Sequence, residues 1–88
     1  MKINEGEIMA LEISEMNPEA LFATGFEDCL VGYVEQASKV LAAYSREKCI
    51  NKLMADSDMT WDEAEEYFVF NVVGAYVGEN TPVFLTLL

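Results

Sequence analysis

The stretch Thr60-Trp61-Asp62-Glu63 constrains the fold more than any other part of the chain. The Thr60 hydroxyl can accept from the amide of Glu63 while the Glu63 carboxylate returns to the amide of Thr60, the reciprocal arrangement of a capping box. Asp62 and Glu63 also sit at the positive end of the helix dipole, where negative charge is favoured. Downstream, Trp61, Ala64, Phe68, Val72 and Ala75 recur at three- and four-residue spacing, and Tyr67, Val69, Phe70 and Val73 widen the apolar arc. By its last two turns such a helix is apolar almost all round. This pattern predicts a central helix packed on more than one side. Gly74 or Gly78 should end it, and Asn80-Thr81-Pro82 should begin the exit turn.

A helix of that kind obliges the rest of an 88-residue chain to supply its cover. Leu30, Val31, Tyr33 and Val34 are β-prone, and Lys39-Val40-Leu41-Ala42-Ala43-Tyr44 forms a second apolar run. The polar Gln36-Ala37-Ser38 between them suits a hairpin connection. Gly32 inside the first strand marks a bulge or a close backbone approach. Ser45 reads as the N-cap of a helix over 46–55, with Cys49, Ile50, Leu53 and Met54 on one face. Asp56-Ser57-Asp58 is a polar turn between the two helices. The apolar segment 83–88 reads as a strand that joins the hairpin. The expected domain is α+β, over residues 21–88: a two-layer β-β-α-α-β unit whose small three-stranded sheet is covered by two helices.

Residues 1–20 read as a variable N-terminal arm. Met9, Leu11 and Ile13 alternate with Ala10, Glu12 and Ser14, the period of a half-buried strand. Met9 is also a possible internal start. Asn17-Pro18-Glu19 has the form of a helix start, predicting a single turn over 19–24 that ends at Gly25.

Sixteen acidic residues face five Lys and Arg, with no His, for a net charge of −11, yet 52% of residues are hydrophobic. Disorder requires high charge together with low hydrophobicity, and only the first holds. The charge excludes a nucleic-acid binder that works by neutralising phosphates, and equally a polybasic membrane anchor. The uncharged stretch 67–78 is shorter than the roughly 18–20 residues that span a bilayer. The acidic start, Met1-Lys2-Ile3-Asn4-Glu5-Gly6-Glu7, lacks the basic region of a secretory leader. A cytoplasmic location with free thiols is expected. Two cysteines, Cys29 and Cys49, cannot complete a four-ligand zinc site, so both read as small core residues.

Three groups of residues are candidates for function. Asp56-Ser57-Asp58-Met59-Thr60-Trp61-Asp62 has acids at alternate positions, as calcium loops do. Trp61 occupies the position of the sharp-turn glycine and Tyr67 that of the bidentate glutamate, so no metal is expected. Glu63, Glu65 and Glu66 line the polar face of the predicted helix. Together with Asp56, Asp58 and Asp62 they form a candidate partner-binding acidic face. Without His or a glycine-rich phosphate loop, no catalytic constellation can be assembled, and neither an enzyme nor a cofactor is expected. Asn71 falls within the apolar stretch, where a buried amide must find a bonding partner. It pairs in sequence with Tyr76 as a candidate pocket, and Gly74-x-x-x-Gly78 would admit a close backbone.

The block Asp58-Met59-Thr60-Trp61-Asp62-Glu63-Ala64-Glu65-Glu66-Tyr67-Phe68, continued by Phe70-Asn71-Val72-Val73-Gly74-Ala75-Tyr76-Val77-Gly78-Glu79-Asn80-Thr81-Pro82-Val83-Phe84, resembles a group of small uncharacterised proteins from tailed bacteriophages. Gly25-Phe26-Glu27-Asp28-Cys29-Leu30-Val31-Gly32 and Tyr44-Ser45-Arg46-Glu47-Lys48-Cys49-Ile50 fit the same pattern. The resemblance covers about residues 25–85. Where the group carries Asp-Gly-Met, this chain has Ser57-Asp58-Met59. The resemblance implies a virus-encoded protein acting in a bacterial cytoplasm, and implies no activity.

From the residues themselves, the apolar excess predicts a small non-enzymatic protein-interaction module that self-associates as a homodimer. The contact should avoid the acidic helix face. An acidic nucleic-acid mimic that blocks a basic-surfaced host protein is the first alternative. A small-ligand binder using Asn71 and Tyr76 is the second.

Overall fold

Each of the three helices begins on a side chain that satisfies an otherwise unpaired amide. The computed structural model describes residues 4–88. Asn4 Oδ1 accepts from the Glu7 amide at 2.8 Å and opens α1 (Glu5–Met16). Ser45 Oγ accepts from the Lys48 amide at 3.2 Å and opens α2 (Arg46–Ser57). Thr60 opens α3 (Trp61–Phe68) with the full capping box, 3.2 Å from the Glu63 amide to Oγ1 and 2.9 Å from the Thr60 amide to Glu63 Oε1. Asp58, with φ of 52°, ends α2 in the left-handed conformation.

Between α1 and α2 lie a 3₁₀ turn (Glu27–Cys29) and the hairpin of β1 (Leu30–Gln36) and β2 (Lys39–Ser45). The strands extend to Gln36 and Lys39, so the connection is only Ala37-Ser38 and not the longer Gln36-Ala37-Ser38. Both turn residues have positive φ, as a two-residue turn matching the strand twist requires. No glycine announced that turn. The register shifts between Leu30 and Gly32, placing the expected bulge at the glycine. β3 is shorter than expected, Val83–Leu85, and pairs parallel to β2 through Ala43↔Val83, Tyr44↔Phe84 and Ser45↔Leu85. The sheet order is β1-β2-β3, giving the expected α+β domain with an additional helix before it.

The additional helix corrects the sequence reading. The residues expected as a strand around Met9 to Ile13 belong to α1. Six alternating residues fit a helix as well as a strand. Gly6, Met9, Ala10 and Ile13 fall on one helical face, and Leu11, expected inward, is exposed. Asn4 with Glu7 three residues later is a helix-start signal that the strand reading passed over. Residues 1–3, which figured in the leader argument, lie outside the described residues. The helical turn expected over 19–24 is also absent. The Ala20 amide instead bonds the Asn17 carbonyl at 3.0 Å, and Asn17 Nδ2 donates to Val40 O at 2.8 Å and to Asn80 Oδ1 at 3.1 Å. Asn17 thus joins the end of α1 to β2 and to the loop before β3.

One core collects residues from every layer: Ile13 of α1, Ala20, Cys29 and Leu30, Ala42 and Tyr44 of β2, Cys49 and Ile50 of α2, and Ala64 and Phe68 of α3. The segment expected as an arm therefore contributes two of its members. Leu41 and Ala43, which alternate with the core-facing β2 residues, are buried too, so the middle strand is covered on both faces. Phe84 joins β3 to the core, 5.7 Å from the Tyr44 ring and edge-on to Phe68 at 5.2 Å between centroids. The Tyr44 hydroxyl accepts from the Ala23 amide at 2.8 Å, tying the irregular segment to the sheet.

Candidate functional site

The helix begun at Thr60 does not stay α-helical. After Phe68 it widens into a π turn (Val69–Val73), closed by the Gly74 amide on the Val69 carbonyl at 3.0 Å. Asn71 Nδ2 donates to the Tyr67 carbonyl four residues back, at 3.1 Å. A side chain that occupies the carbonyl of the preceding turn competes with the α-helical ladder and bends it. Widening by one residue also turns the following side chains away from the stripe that the first part of α3 buries.

The consequence corrects the main expectation for this helix. It is not packed on several sides. Ala64 and Phe68 are buried, but Val69, Phe70, Val73, Tyr76 and Val77 are exposed, Phe70 and Tyr76 each to 74% and Val77 to 65%. Sequence reasoning assigned these residues to the core. The signal that could have found them is the width of the arc: a chain of this length has too little remaining surface to bury all sides of one helix.

The candidate polar and glycine residues fall differently from their expected roles. Asn71 is an exposed residue bonded within its own helix, not a buried amide. Tyr76 lines a groove of about 530 Å³ with Leu41, Val73, Pro82 and Phe84, and Lys39 and Glu79 pair at its rim at 3.7 Å. Asn71 lines a different cleft, beside Phe22, Val72 and Ala75. The single Asn71–Tyr76 pocket is therefore not formed. Gly74 ends the π turn, and a Cβ there would meet only carbonyls of its own helix, the nearer at 3.0 Å. Nothing approaches Gly78 within 4 Å of a Cβ position, so the glycine pair admits no second backbone. Its φ of +114° instead suits the turn that leads to Thr81.

The six acids of the candidate face divide evenly. Glu65 pairs with Arg46 at 3.0 Å, Asp56 with Lys52 at 3.2 Å, and Glu63 is engaged in the capping box. Backbone bonding at Thr60 holds the Glu63 carboxyl below the usual carboxylate range. Asp58, Asp62 and Glu66 have no ion-pair partner among the described residues. No group of three His, Cys, Asp or Glu among the described residues is placed to hold a metal ion. No helix among them is long and apolar enough to cross a membrane. The surface that remains chemically distinctive is the apolar end of the helix.

Comparison with protein-family models, with curated proteins and with solved structures finds no match.

Proposed function

We propose that this chain is a non-enzymatic protein-interaction module that self-associates as a homodimer through the end of its third helix. The carrying observation is the exposure of Val69, Phe70, Val73, Tyr76 and Val77 together on 69–77. Five uncharged, mostly large apolar residues there form a patch of the kind that marks an interaction site.

Two further observations favour a second copy as the occupant. The chain exposes 6099 Å², whereas a compact monomer of its 9.9 kDa would expose about 5,200 Å². The excess, to which the extended tail after β3 contributes, is close to the roughly 800 Å² that each partner contributes to a standard interface. Charge gives the second argument. Any dimer doubles a net charge of −11, so its contact must lie where acids are absent. No residue of 69–77 is charged, while Asp62, Glu63 and Glu66 lie at the other end of the same helix. A symmetric contact through the apolar end keeps the acidic ends apart.

The phage resemblance places the module in an infected bacterial cytoplasm. The acidic-mimic reading is weaker, since half of the proposed acidic face already has internal partners. A ligand pocket at Asn71 and Tyr76 has no support in the separate clefts those residues line.

Sedimentation equilibrium at micromolar concentration tests the proposal. The wild-type chain should give twice the 9.9 kDa chain mass, and Phe70→Asp should give a folded monomer. A wild-type monomer at that concentration, or a Phe70→Asp dimer, refutes it.

A further inference from the structure

Cys29 and Cys49 are twenty positions apart in sequence and adjacent in the fold. The sheet register explains why. Leu30, directly after Cys29, pairs with Tyr44, and the chain turns at Ser45 into α2, whose first turns carry Cys49. Both residues are buried in the single core, both are free thiols, and their sulfurs lie close enough to interact directly. Two thiols so placed differ from two scattered core cysteines. Each is the neighbour that can trap an oxidised state of the other.

Their access to solvent differs. Cys29 lines a shallow cavity of about 320 Å³ that opens between Asp28, Lys48, Asn51 and Lys52. Cys49 does not reach it. Lys48 and Lys52 favour a thiolate on Cys29, against the opposing effect of burial. Cys49 has no such help, and burial pushes its thiol up to about 12.

We infer that Cys29 and Cys49 form a reversible intramolecular disulfide on exposure to a hydroperoxide, with Cys29 the attacking and Cys49 the resolving residue. The Cys29 thiolate attacks one peroxide oxygen, the O–O bond breaks, and the departing hydroxide takes up a proton as water. Cys29 is left as a sulfenic acid. The Cys49 sulfur then attacks the Cys29 sulfur, the S–O bond breaks, and the hydroxide leaves with the Cys49 proton as a second water. Two thiols are oxidised by two electrons and one peroxide is reduced. The bridge ties the 3₁₀ turn ahead of β1 to α2 and closes a loop that contains the whole hairpin. Such a loop constrains the unfolded chain, so the oxidised form should melt on the order of 10 °C higher. The dimer surface at Phe70 is not involved, so this inference stands or falls apart from the proposed self-association.

The test uses the reduced full-length protein and hydrogen peroxide. Thiols are counted by alkylation under denaturing conditions, followed by peptide mapping. The expected result is loss of both thiols, a cross-linked Cys29–Cys49 peptide from a single chain, and recovery of both thiols with dithiothreitol. In Cys49→Ser, a sulfenic-acid-specific nucleophile should label Cys29. Retention of both thiols, oxygenation of either without a cross-link, or a bridge between chains overturns the inference. Labelling of Cys49 in Cys29→Ser but not of Cys29 in Cys49→Ser overturns the assigned order. The wild-type measurement needs no variant to fold.

Discussion

Phe68 and Phe70 are two positions apart in one helix and should fail in opposite ways when truncated. Phe68 is fully buried, edge-on to Phe84 and beneath the Arg46 guanidinium, which lies 5.8 Å from its ring centroid. Phe68→Ala removes a core ring and leaves a cavity, at a cost of about 3–5 kcal/mol. Total stability at this length is about 4–13 kcal/mol, so that loss consumes a large share of it. Phe70 already exposes 74% of its surface, so Phe70→Ala should change the folding stability of the monomer by about 0.5 kcal/mol or less. At an interface the same truncation removes an aromatic anchor worth about 2 kcal/mol, and a two-fold contact loses it twice. The dissociation constant should therefore rise by about three orders of magnitude. Urea unfolding of dilute protein measures the first quantity, and sedimentation equilibrium across a concentration series measures the second. The reasoning is refuted if Phe70→Ala destabilises the monomer as much as Phe68→Ala does. It is equally refuted if Phe70→Ala leaves the dissociation constant unchanged.

Two further outcomes follow from the packing. Replacing glycine by alanine inside a helix ordinarily gains up to about 1 kcal/mol, but Gly6→Ala should destabilise, because its Cβ would sit 2.5 Å from the Glu27 backbone carbonyl. A higher melting temperature for Gly6→Ala would contradict the close packing of α1 on the 3₁₀ turn. Burial pushes the thiols of Cys49 and Cys29 and the phenol of Tyr44 upward, so the folded chain keeps protons that the unfolded chain releases. Their contribution is complete below about pH 9, the ordinary thiol value, and is lost as pH rises toward about 12. The urea midpoint of the reduced protein should accordingly fall between about pH 8 and about pH 10, and a flat profile would sink the assignment.

The parts of the fold that were legible in the sequence are those in which a local signal and a packing requirement agree. Thr60 with Glu63, Ser45 before α2, and Gly32 at the bulge each combine a specific hydrogen-bonding or conformational need with an apolar run beside it. α1 was misread because period 2 and period 3.6 coincide over Met9 to Ile13, and the Asn4–Glu7 start was not weighed against them. The two-residue turn at Ala37-Ser38 was invisible because neither residue favours positive φ. Tertiary pairing of the strands imposes it. The candidate surface was illegible for a different reason. Apolar character specifies that a residue prefers burial, and does not specify whether its own chain or another one supplies the cover.

That ambiguity is resolved at Asn71. An amide within an apolar arc looks like a buried group in need of a partner, and here the partner is the Tyr67 carbonyl of its own helix. Taking that carbonyl favours the π turn, and the π turn separates Phe68, which completes the core, from Phe70, which does not enter it. The polar residue is therefore the boundary between two uses of one apolar run. Upstream of it the side chains stabilise the fold, and beyond it they stay exposed. The same division accounts for the pairing of −11 charges with 52% hydrophobic residues. The acids keep one end of the helix in water, and the apolar surplus is concentrated at the other end, where a partner can cover it without opposing that charge.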